Sequence, residues 1–478
     1  MTRTYDLIVI GAGPVGENVA DYAQKRGLSA VIVESELVGG ECSYWACIPS
    51  KAMLRPGFAL DGARRVAGAA EAVTGTLDAA AVLRRRDSFV HDWDDGSQVD
   101  WLKGAGIDLV RGHGRITGVR TVEVTTPDGA TVELVATAAV AVATGSAALL
   151  PDVPGLLETD PWTSREATEA KSVPRSLAIL GGGTVGAEMA TAYTALGSEV
   201  TLLARSTVLS ALEPFAGELV TDQLRSAGAT VKTGVSAVRA ERTASGVTLE
   251  LDDGTSVTAD ELLVATGRRP RTDDLGLGSV GLEDGSWLDV DDTLLVRAGT
   301  NDGDPWLYAT GDVNRRALLT HQGKYQGRAA GEAIAARARG RRIDDGRFGL
   351  HVASADDGAV PQVTFTDPEV ASVGRTEKSA REAGLPVRVV DYDLGAVAGS
   401  SLAADGYTGR ARLVVDAERE VVLGATFAGQ DVAELLHSAT IAVVGEVPLR
   451  RLWHAVPSYP TISEVWLRLL EEYGRPDA

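Results

Sequence analysis

The chain contains the same local pattern twice: an apolar run that leads directly into a glycine-rich turn. Residues 5–10 precede Gly11-Ala12-Gly13-Pro14-Val15-Gly16, and residues 176–180 precede Gly181-Gly182-Gly183-Thr184-Val185-Gly186. Each turn opens a helical pattern, and a second apolar run follows. A strand, a helix and a second strand in this order form a βαβ unit with parallel strands. We therefore predict an α/β protein with two Rossmann-like domains.

The glycines of such a turn have separate roles. The first makes the tight turn, the second lets the backbone approach a pyrophosphate, and the third lets the helix pack on the strand. The helix N-terminus then stabilises the phosphates. Glu34, at the end of the second apolar run, would bind a ribose diol. The pattern predicts dinucleotide binding at two places, by Gly11, Gly13, Gly16 and Glu34 and by Gly181, Gly183 and Gly186.

The second unit lacks the acid of the first. Ala204-Arg205-Ser206 stands where an acid would bind the ribose. An arginine at this place suits a 2′-phosphate, so Arg205 favours NADPH over NADH, although NAD remains possible. The alternative is that Arg205 is only a surface arginine. Two such sites imply two nucleotides, one bound tightly and one exchanged.

The only two cysteines lie five residues apart, in Gly39-Gly40-Glu41-Cys42-Ser43-Tyr44-Trp45-Ala46-Cys47-Ile48-Pro49-Ser50-Lys51. They are either buried small hydrophobic residues or a redox-active pair. Residues i and i+5 of a regular helix have Cα atoms about 8–9 Å apart, whereas a disulfide needs about 4.4–6.8 Å. A bond between them requires a turn or a distorted helix start, which the neighbouring glycines and proline permit. A thiolate near a helix N-terminus and Lys51 would have a lowered pKa.

The composition of the chain disfavours some classes of binding partner. The net charge of −20 disfavours nucleic acid and anionic membranes. The chain begins almost directly with a strand, and we expect no signal peptide and a cytoplasmic location. The longest uncharged run, 134–151, indicates a buried strand and turn rather than a membrane span. Because we expect no export signal, we interpret the two cysteines as catalytic rather than structural.

Between these motifs the sequence predicts secondary structure in less detail. Residues 55–105 form polar helices, and Arg84-Arg85-Arg86 is interpreted as a solvated helix face or a set of local salt bridges. Residues 107–142 alternate as strands with a hairpin turn at Pro127-Asp128-Gly129. A short strand at 307–312 ends in Gly311-Asp312, whose carboxylate can accept hydrogen bonds from ribityl hydroxyls. From residue 360 on, the pattern predicts an α+β module.

Together these residues resemble the class I pyridine nucleotide–disulfide oxidoreductases, the family of lipoamide dehydrogenase, glutathione reductase and mercuric reductase. The segment from Gly39 to Lys51 resembles the redox motif of that family almost residue for residue. The resemblance implies FAD at the first fingerprint and NAD(P) at the second. It also implies a homodimer in which the partner subunit completes each active site, with residues 365–369 near the start of the dimerisation domain.

The resemblance sets the domain boundaries. It places an FAD-binding domain in two parts, 1–150 and 271–345, an NAD(P)-binding domain at 151–270, and a C-terminal α+β dimerisation domain at 346–478. It extends the set of cofactor-binding residues to Gly40, Lys51, Gly114, Thr144, Gly145, Gly267, Gly311 and Asp312. No residue is assigned to a metal site.

The resemblance also implies a mechanism for this chain. A hydride passes from the nicotinamide to flavin N5, and the electrons move on to a Cys42–Cys47 disulfide. Cys47 would be the thiolate beside the flavin, and Cys42 the interchange thiol that faces the substrate. Lys51 would lie near flavin N5, where its charge stabilises the reduced ring. Glu188 matches the glutamate that pairs with this lysine.

The chain departs from the family near its C-terminus. The disulfide reductases carry His-Pro-Thr-x-x-Glu, in which the histidine is the acid/base for thiol exchange, whereas this chain has Tyr459-Pro460-Thr461-Ile462-Ser463-Glu464. A phenol with a pKa near 10 is a poor base at neutral pH. His454 lies five residues upstream and is a candidate replacement, although it does not match the motif.

These features predict an FAD-dependent NAD(P)H oxidoreductase that reduces a small-molecule acceptor such as a quinone, a dye or a metal ion. One alternative is a disulfide reductase that uses Tyr459 and Glu464 or a relocated base. A second is a soluble pyridine nucleotide transhydrogenase, which Trp45 and the Tyr-Pro-Thr-x-x-Glu motif resemble, although those enzymes lack the second cysteine. A redox-inert FAD-binding dimer is disfavoured by the cysteines and Lys51. The tail also lacks the cysteine pair of mercuric reductases.

Overall fold

A computed structural model gives the structure of residues 2–297 and 304–475. Its strands are β1 (Thr2–Ile10), β2 (Ala30–Glu34), β3 (Asp108–Arg111), β4 (His113–Gly118), β5 (Thr121–Thr125), β6 (Thr131–Val142), β7 (Ser146–Ala148), β8 (Ser176–Leu180), β9 (Glu199–Ala204), β10 (Thr230–Thr233), β11 (Ala237–Thr243), β12 (Gly246–Leu251), β13 (Ser256–Ala259), β14 (Glu261–Val264), β15 (Arg268–Pro270), β16 (Leu307–Ala309), β17 (Pro361–Thr364), β18 (Glu369–Gly374), β19 (Val387–Asp393), β20 (Arg410–Asp416) and β21 (Val421–Gly429).

Fourteen α-helices are found in the same described ranges. They are α1 (Pro14–Lys25), α2 (Gly40–Tyr44), α3 (Cys47–Arg64), α4 (Ala79–Phe89), α5 (Gly96–Gly104), α6 (Ser164–Glu169), α7 (Thr184–Ala195), α8 (Pro214–Ser226), α9 (Thr320–Ala338), α10 (Glu377–Glu382), α11 (Ala398–Ala403), α12 (Leu436–Val444), α13 (Leu449–Leu452) and α14 (Val465–Tyr473).

The chain divides into two compact units. Unit 1 contains the described residues of 1–48, 87–148 and 268–356, and unit 2 contains those of 49–86, 149–267 and 357–478. Unit 1 therefore combines residues from both predicted parts of the FAD-binding domain, 1–150 and 271–345. The finer division into an FAD domain in two parts, an NAD(P) domain and a dimerisation domain stays a prediction.

Unit 1 is built on a sheet with the strand order β3-β2-β1-β6-β5-β4, in which β16 also pairs with β6. The strands β1, β2 and β3 are parallel, and β1 is parallel to β6. Both faces of β1 are buried, since Leu7 and Val9 belong to one apolar cluster and Ile8 and Ile10 to another. Burial on both faces explains why this strand is a continuous apolar run without alternation.

Unit 2 repeats the βαβ arrangement and adds an antiparallel sheet. Its parallel sheet has the order β10-β9-β8-β14, and a three-stranded sheet has the order β11-β12-β13. The five-stranded sheet β17-β18-β21-β20-β19 packs its apolar side chains against those of α12 and α14. The α/β class with two Rossmann-like sheets and a C-terminal α+β module is thus confirmed.

The interpretation of the arginine run 84–86 is confirmed for Arg84, which is exposed and lies 3.9 Å from Asp78, but it is wrong for Arg86. Arg86 is fully buried in α4, where it shares a face with the buried residues Val82 and Leu83. Its guanidinium donates hydrogen bonds to the carbonyls of Thr168 and Ala170, the latter at 2.8 Å. The Arg86 guanidinium therefore contacts two backbone carbonyls within unit 2 and is not exposed to solvent.

The hairpin turn at 127–129 is confirmed between β5 and β6, where the amide of Thr126 donates to the carbonyl of Ala130. The uncharged run 134–151 contains most of β6 and all of β7, as expected. No helix within residues 2–297 and 304–475 combines the length and apolar character needed to span a membrane.

Candidate active site

The first glycine fingerprint has the backbone geometry that its sequence requires. Gly11 has a φ of 105°, and a Cβ added there would lie 2.4 Å from the carbonyl oxygen of Ala143. A Cβ at Gly16 would lie 2.0 Å from the carbonyl oxygen of Gly11. Both contacts are far inside van der Waals distance, so only glycine allows α1 to approach β1 and β6 so closely.

Gly13 has a different environment. It is the N-cap of α1, no side chain caps this helix start, and a Cβ at Gly13 would have no neighbour within 4 Å. Gly40 closes one side of this space, because a Cβ there would lie 2.8 Å from Cα of Gly13. The open backbone at the N-terminus of α1 is thus available to a phosphate group.

Two buried hydroxyl groups support the assignment of this cleft to a cofactor. Thr144 and Thr310 follow β6 and β16, and the Oγ1 atom of each is buried without a hydrogen-bond partner. Buried polar atoms are rarely left unsatisfied in proteins. Their position at the carboxyl ends of parallel strands is where an open α/β sheet binds its ligand. The residues present therefore fit a bound dinucleotide such as FAD.

The two predicted carboxylates both lie in unit 1. Glu34 ends β2, and its carboxylate accepts hydrogen bonds from the backbone amides of Ala12 and Glu36, each at 2.7 Å. Burial raises the pKa of Glu34. Asp312 follows Gly311 and accepts a 2.5 Å hydrogen bond from the hydroxyl of Ser146. Burial also raises the pKa of Asp312, against the opposing effect of that hydrogen bond.

Sequence reasoning missed the residues that hold Asp312. Arg268, in β15, lies 3.6 Å from the Asp312 carboxylate and also donates a 2.8 Å hydrogen bond to the backbone carbonyl of Ser146. Ser146 itself opens β7, which pairs with β15 in antiparallel fashion. Residues 143–146 and 265–270 both begin with Ala-Thr-Gly, but the sequence does not indicate that the strands which follow pair with each other.

The two cysteines lie on either side of a helix break. Cys42 lies in α2, which ends at Tyr44, and Cys47 is the first residue of α3. The predicted interruption of a regular helix between them is confirmed. Both side chains are half-buried. Cys47 Sγ lies 3.4 Å from Oγ1 of Thr320, the first residue of α9, a contact that the sequence did not indicate.

The second fingerprint, in unit 2, repeats the geometry of the first. Gly181 has a φ of 123°, and a Cβ there would lie 2.3 Å from the carbonyl oxygen of Ala265. A Cβ at Gly186 would lie 1.8 Å from the carbonyl oxygen of Gly181, whereas Gly183 has no neighbour within 4 Å of such an atom. The N-terminus of α7 is therefore open in the same way as that of α1.

Arg205 directly follows β9, which ends at Ala204. Ala204 corresponds to Glu34 of the first unit, because each lies 23 residues after the first glycine of its fingerprint. The side chain of Arg205 is exposed. An alanine at the ribose position removes the carboxylate that would repel a 2′-phosphate, and the next residue supplies a cation.

Lys51 and Glu188 form an ion pair in unit 2. Lys51 Nζ lies 2.7 Å from Glu188 Oε2, and the Glu188 side chain is 4% exposed. The other carboxylate oxygen of Glu188 accepts a 2.9 Å hydrogen bond from the amide of Phe365, whose ring centroid lies 5.0 Å from Lys51 Nζ. The structure thus brings together the lysine and the glutamate that the sequence paired, and it fixes the direction of the lysine.

The C-terminal motif directly precedes α14. Tyr459 is 77% exposed, and His454 is also exposed. Glu464 is buried, and one of its oxygens lies 2.5 Å from Nη2 of Arg468, whereas its Oε2 is buried without a hydrogen-bond partner. Arg468 was not singled out in the sequence, although its spacing of four residues from Glu464 on a helix is a recognisable signal.

The remaining predicted cofactor residues lie at turns or close contacts. Gly145 has a φ of 73° and follows β6, Gly267 has a φ of 155° and follows β14, and a Cβ at Gly114 would lie 3.0 Å from the side chain of Val33. Within residues 2–297 and 304–475, no group of three or more His, Cys, Asp or Glu side chains is arranged to hold a metal ion.

Comparison with known proteins identifies the family. Residues 5–330 match the family described as pyridine nucleotide-disulphide oxidoreductase, and residues 360–469 match its dimerisation domain. The chain therefore belongs to the pyridine nucleotide-disulphide oxidoreductases and is an enzyme of that family, in which FAD is the typical cofactor. The dimerisation domain supports a homodimer.

Individual relatives cover almost the whole chain. A dihydrolipoyl dehydrogenase of Thermus scotoductus is 34% identical over 97% of this chain and 96% of its own length. A mercuric reductase of Staphylococcus aureus is 30% identical over 96% of this chain and 81% of its own length. Among solved structures, the flavoprotein disulfide reductase RclA of Escherichia coli superposes with a TM-score of 0.83 at 23% identity, covering 98% of this chain and 99% of its own. LpdA of Mycobacterium tuberculosis has a TM-score of 0.82 at 23% identity, covering 98% and 100%.

Proposed function

We propose that the chain is an FAD-dependent oxidoreductase that takes electrons from NADPH and delivers them to a quinone-like acceptor in preference to a small disulfide. The observation that carries the proposal is the exposed Tyr459 in the place of the family's catalytic histidine. The reaction would convert NADPH, a proton and a quinone into NADP⁺ and a quinol, so its protons and electrons balance.

FAD, when bound, accepts a hydride from a nicotinamide and releases the two electrons to a second acceptor. Around it, the N-terminus of α1 and Gly13 would hold the pyrophosphate, and Glu34 and Asp312 would accept hydrogen bonds from sugar hydroxyls. The family resemblance assigns Lys51 to the flavin ring, and its ion pair with Glu188 orients the ammonium group. A fixed positive charge stabilises negative charge on a reduced cofactor.

The cysteine pair would relay electrons within the same enzyme. The dipole of α3 favours a thiolate at its first residue, Cys47, and the hydroxyl of Thr320 is within reach to donate a hydrogen bond to that sulfur. Cys42, on the preceding short helix, remains the thiol that would exchange with a substrate. Both roles rest on the family resemblance together with these positions.

The nature of the acceptor follows from the groups that can move a proton. Thiol exchange needs a group that titrates near neutral pH to protonate the leaving thiolate. Tyrosine is protonated there and is a poor base. Glu464, which is kept from the family motif, forms an ion pair with Arg468 through its Oε1 atom. Reduction of a quinone requires no such base in the protein, only access to the reduced cofactor or thiolate.

The test is an acceptor panel under anaerobic conditions. The purified enzyme is reduced with NADPH and mixed with lipoamide, glutathione and mycothiol disulfides, with quinones, and with NAD⁺. We expect quinones to be reduced well and the disulfides at least 100-fold more slowly, since general acid/base catalysis contributes about 10²–10⁴-fold. Rapid turnover of any small disulfide would contradict the proposal.

A disulfide reductase is the second candidate, and three observations favour it. Both cysteines of the redox motif are present, and the buried Oε2 atom of Glu464 has no hydrogen-bond partner in the structure, so it could accept one from a group supplied on dimerisation. Relatives with at least 30% identity include dihydrolipoyl dehydrogenases. In the acceptor panel this candidate predicts that one disulfide is reduced faster than every quinone.

A further inference from the structure

Gln326, on α9, is fully buried in unit 1, and its side-chain amide contacts the turn that contains Gly311 and Asp312. Its Oε1 atom accepts a 2.8 Å hydrogen bond from the backbone amide of Gly311. The same oxygen accepts a second hydrogen bond of 2.8 Å from Nδ2 of Asn314, a buried residue at the other end of the turn. Because a buried donor without a partner is costly, this one side chain holds the turn at both ends.

Asp356 determines which end of the Gln326 amide faces the turn. Nε2 of Gln326 donates a 2.9 Å hydrogen bond to Oδ2 of Asp356, whose side chain is 2% exposed. An ionised carboxylate accepts hydrogen bonds and does not donate them, so the NH2 group of Gln326 must face Asp356 and its oxygen must face the turn. The reversed amide would bring two donors together at Gly311 and two acceptors together at Asp356.

Asp356 is itself held in place by two further side chains. Gln322, one turn before Gln326 on α9, donates a 2.9 Å hydrogen bond to the other carboxylate oxygen, Oδ1. Nε of Arg316 lies 3.2 Å from Oδ2 of Asp356, and its Nη2 lies 3.0 Å from a carboxylate oxygen of Asp292. Burial raises the pKa of Asp356, and the contacts with Gln322, Arg316 and Gln326 oppose that effect. Asp356 is therefore a fixed acceptor for the Gln326 amide.

We propose that Gln326 is a positioning residue for the flavin half of the cofactor: it fixes the turn from which Asp312 reaches the ribityl hydroxyls, and Asp356 orients its amide. The proposal rests on the assignment of Asp312 to the FAD site and not on the identity of the acceptor. The ADP half of the cofactor is assigned to Gly13 and Glu34, at the N-terminus of α1 and the end of β2. Loss of Gln326 should therefore affect one half of the cofactor and spare the other.

The test measures the two halves of the cofactor separately. The full chain is freed of FAD and titrated with FAD, and ADP is measured as a competitor of FAD so that only the FAD site is read. Gln326→Met removes the amide and keeps a side chain of similar length. It should weaken FAD binding at least tenfold, because a hydrogen bond to a charged acceptor contributes about 10- to 150-fold. The inhibition constant of ADP should stay within about twofold. An equal loss for FAD and ADP would show a general loosening of unit 1 and contradict the proposal.

Two further variants serve as reference and control. Asp312→Ala should weaken FAD at least as much as Gln326→Met does, and if it does not, the assignment of Asp312 fails and the proposal with it. If Asp312→Ala weakens FAD and Gln326→Met does not, the positioning role alone is wrong. Gln322→Met is the matched control, because it removes the same group from the same face of α9 but loses a hydrogen bond to Asp356 rather than those to the turn. It should keep the affinity for FAD within about threefold, and a loss equal to that of Gln326→Met would contradict the proposal.

A double variant tests the role of Asp356. Gln326→Glu brings a second carboxylate against Asp356, and at pH 8.5 the repulsion between the two should displace the side chain at 326 and weaken FAD. Adding Asp356→Asn supplies an NH2 donor in place of that carboxylate, so the hydrogen bond between positions 326 and 356 can form in the opposite direction, and most of the affinity for FAD should return. If the double variant binds FAD no more tightly than Gln326→Glu, Asp356 does not orient the side chain at 326 and the proposal fails. Should Gln326→Met not fold, this comparison decides in its place.

Discussion

At the scale of single residues, specific contacts hold a few charged or ionisable side chains in place. Cys47 opens α3, and the partial positive charge of a helix N-terminus favours a thiolate at this position. Thr320 places a hydroxyl 3.4 Å from the sulfur. In unit 2, Glu188 uses both carboxylate oxygens, one for Lys51 and one for the amide of Phe365. These contacts fix the Lys51 ammonium group and place a hydroxyl at the Cys47 sulfur before any substrate binds.

The Cys47 thiolate can be observed spectroscopically. Reduction by NADPH should give a long-wavelength absorbance band from a thiolate beside the flavin. Cys47→Ser should abolish the band and leave about one FAD bound per chain, whereas Cys42→Ser should keep it. A band that survives Cys47→Ser would reject the assignment of Cys47 to the flavin.

Glu17, in the first turn of α1, is a half-buried acid with little compensation of its charge. Burial raises its pKa to about 7, Glu34 adds to the effect, and Lys324 opposes it. Its Oε1 atom is buried without a hydrogen-bond partner. The folded protein therefore holds this proton more tightly than the unfolded chain, in which a glutamate titrates near 4.5.

The sign of the pH dependence follows from that difference. The contribution of Glu17 to stability is most favourable below pH 4.5, falls as the pH rises to 7, and remains unfavourable above it, by at most about 3 kcal/mol. Glu17→Gln should therefore raise the melting temperature at pH 8 and leave it nearly unchanged at pH 4.5. Asp21→Asn, on the same helix but paired with Lys25, is the control. A Glu17→Gln gain that is equal at both pH values would contradict this account.

At the scale of elements, the two βαβ units share one geometry and differ at one side chain. In both, the first glycine faces a carbonyl at the end of a parallel strand, and the third faces the carbonyl of the first. The acid that ends β2 has no counterpart at the end of β9, where Ala204 is followed by Arg205. This difference supports the proposal that the first unit binds a nucleotide with a free ribose diol and the second a nucleotide with a 2′-phosphate.

Arg205→Glu tests this difference. The change removes the cation and adds a repelling charge, so it should weaken NADPH binding far more than NADH binding. Loss of a charge-assisted contact amounts to roughly 1.5–3 kcal/mol, which is about 10- to 150-fold in affinity. The ratio of kcat/KM for NADPH to that for NADH should fall by at least that factor. Equal losses for the two nucleotides would show that Arg205 does not contact the 2′-phosphate.

Elements with a strong local pattern could be predicted from the sequence. The strand 176–180 coincides with β8, and the requirements of a disulfide correctly predicted a break between Cys42 and Cys47. Arg86 was misjudged although its spacing from Val82 and Leu83 already placed it on a buried face. The pairing of β7 with β15, and with it the position of Arg268, depends on segments more than 100 residues apart and has no local signal.

At the scale of the whole molecule, the family and the fold follow from the sequence, whereas the acceptor does not. The redox motif and both fingerprints are contiguous segments with fixed spacing, and they led to the family that the comparisons show. An acceptor site is made by scattered side chains that chain folding and dimerisation bring together. The one local clue is the motif that ends in Glu464, and for the ion pair of Glu464 with Arg468 the sequence offers only the spacing of four residues.

The central claim is that Tyr459, in the place of the family's catalytic histidine, makes the enzyme a poor reductant of small disulfides. The ratio of disulfide turnover to quinone turnover tests this claim directly. Tyr459→His supplies a group that titrates near neutral pH, so turnover of lipoamide or glutathione disulfide should rise at least tenfold while quinone turnover stays within about twofold. Tyr459→Phe, which removes only the hydroxyl, should leave both rates unchanged. If the unmodified enzyme already reduces a small disulfide rapidly and Tyr459→His does not alter the ratio, then Tyr459 does not determine the acceptor and the account is wrong.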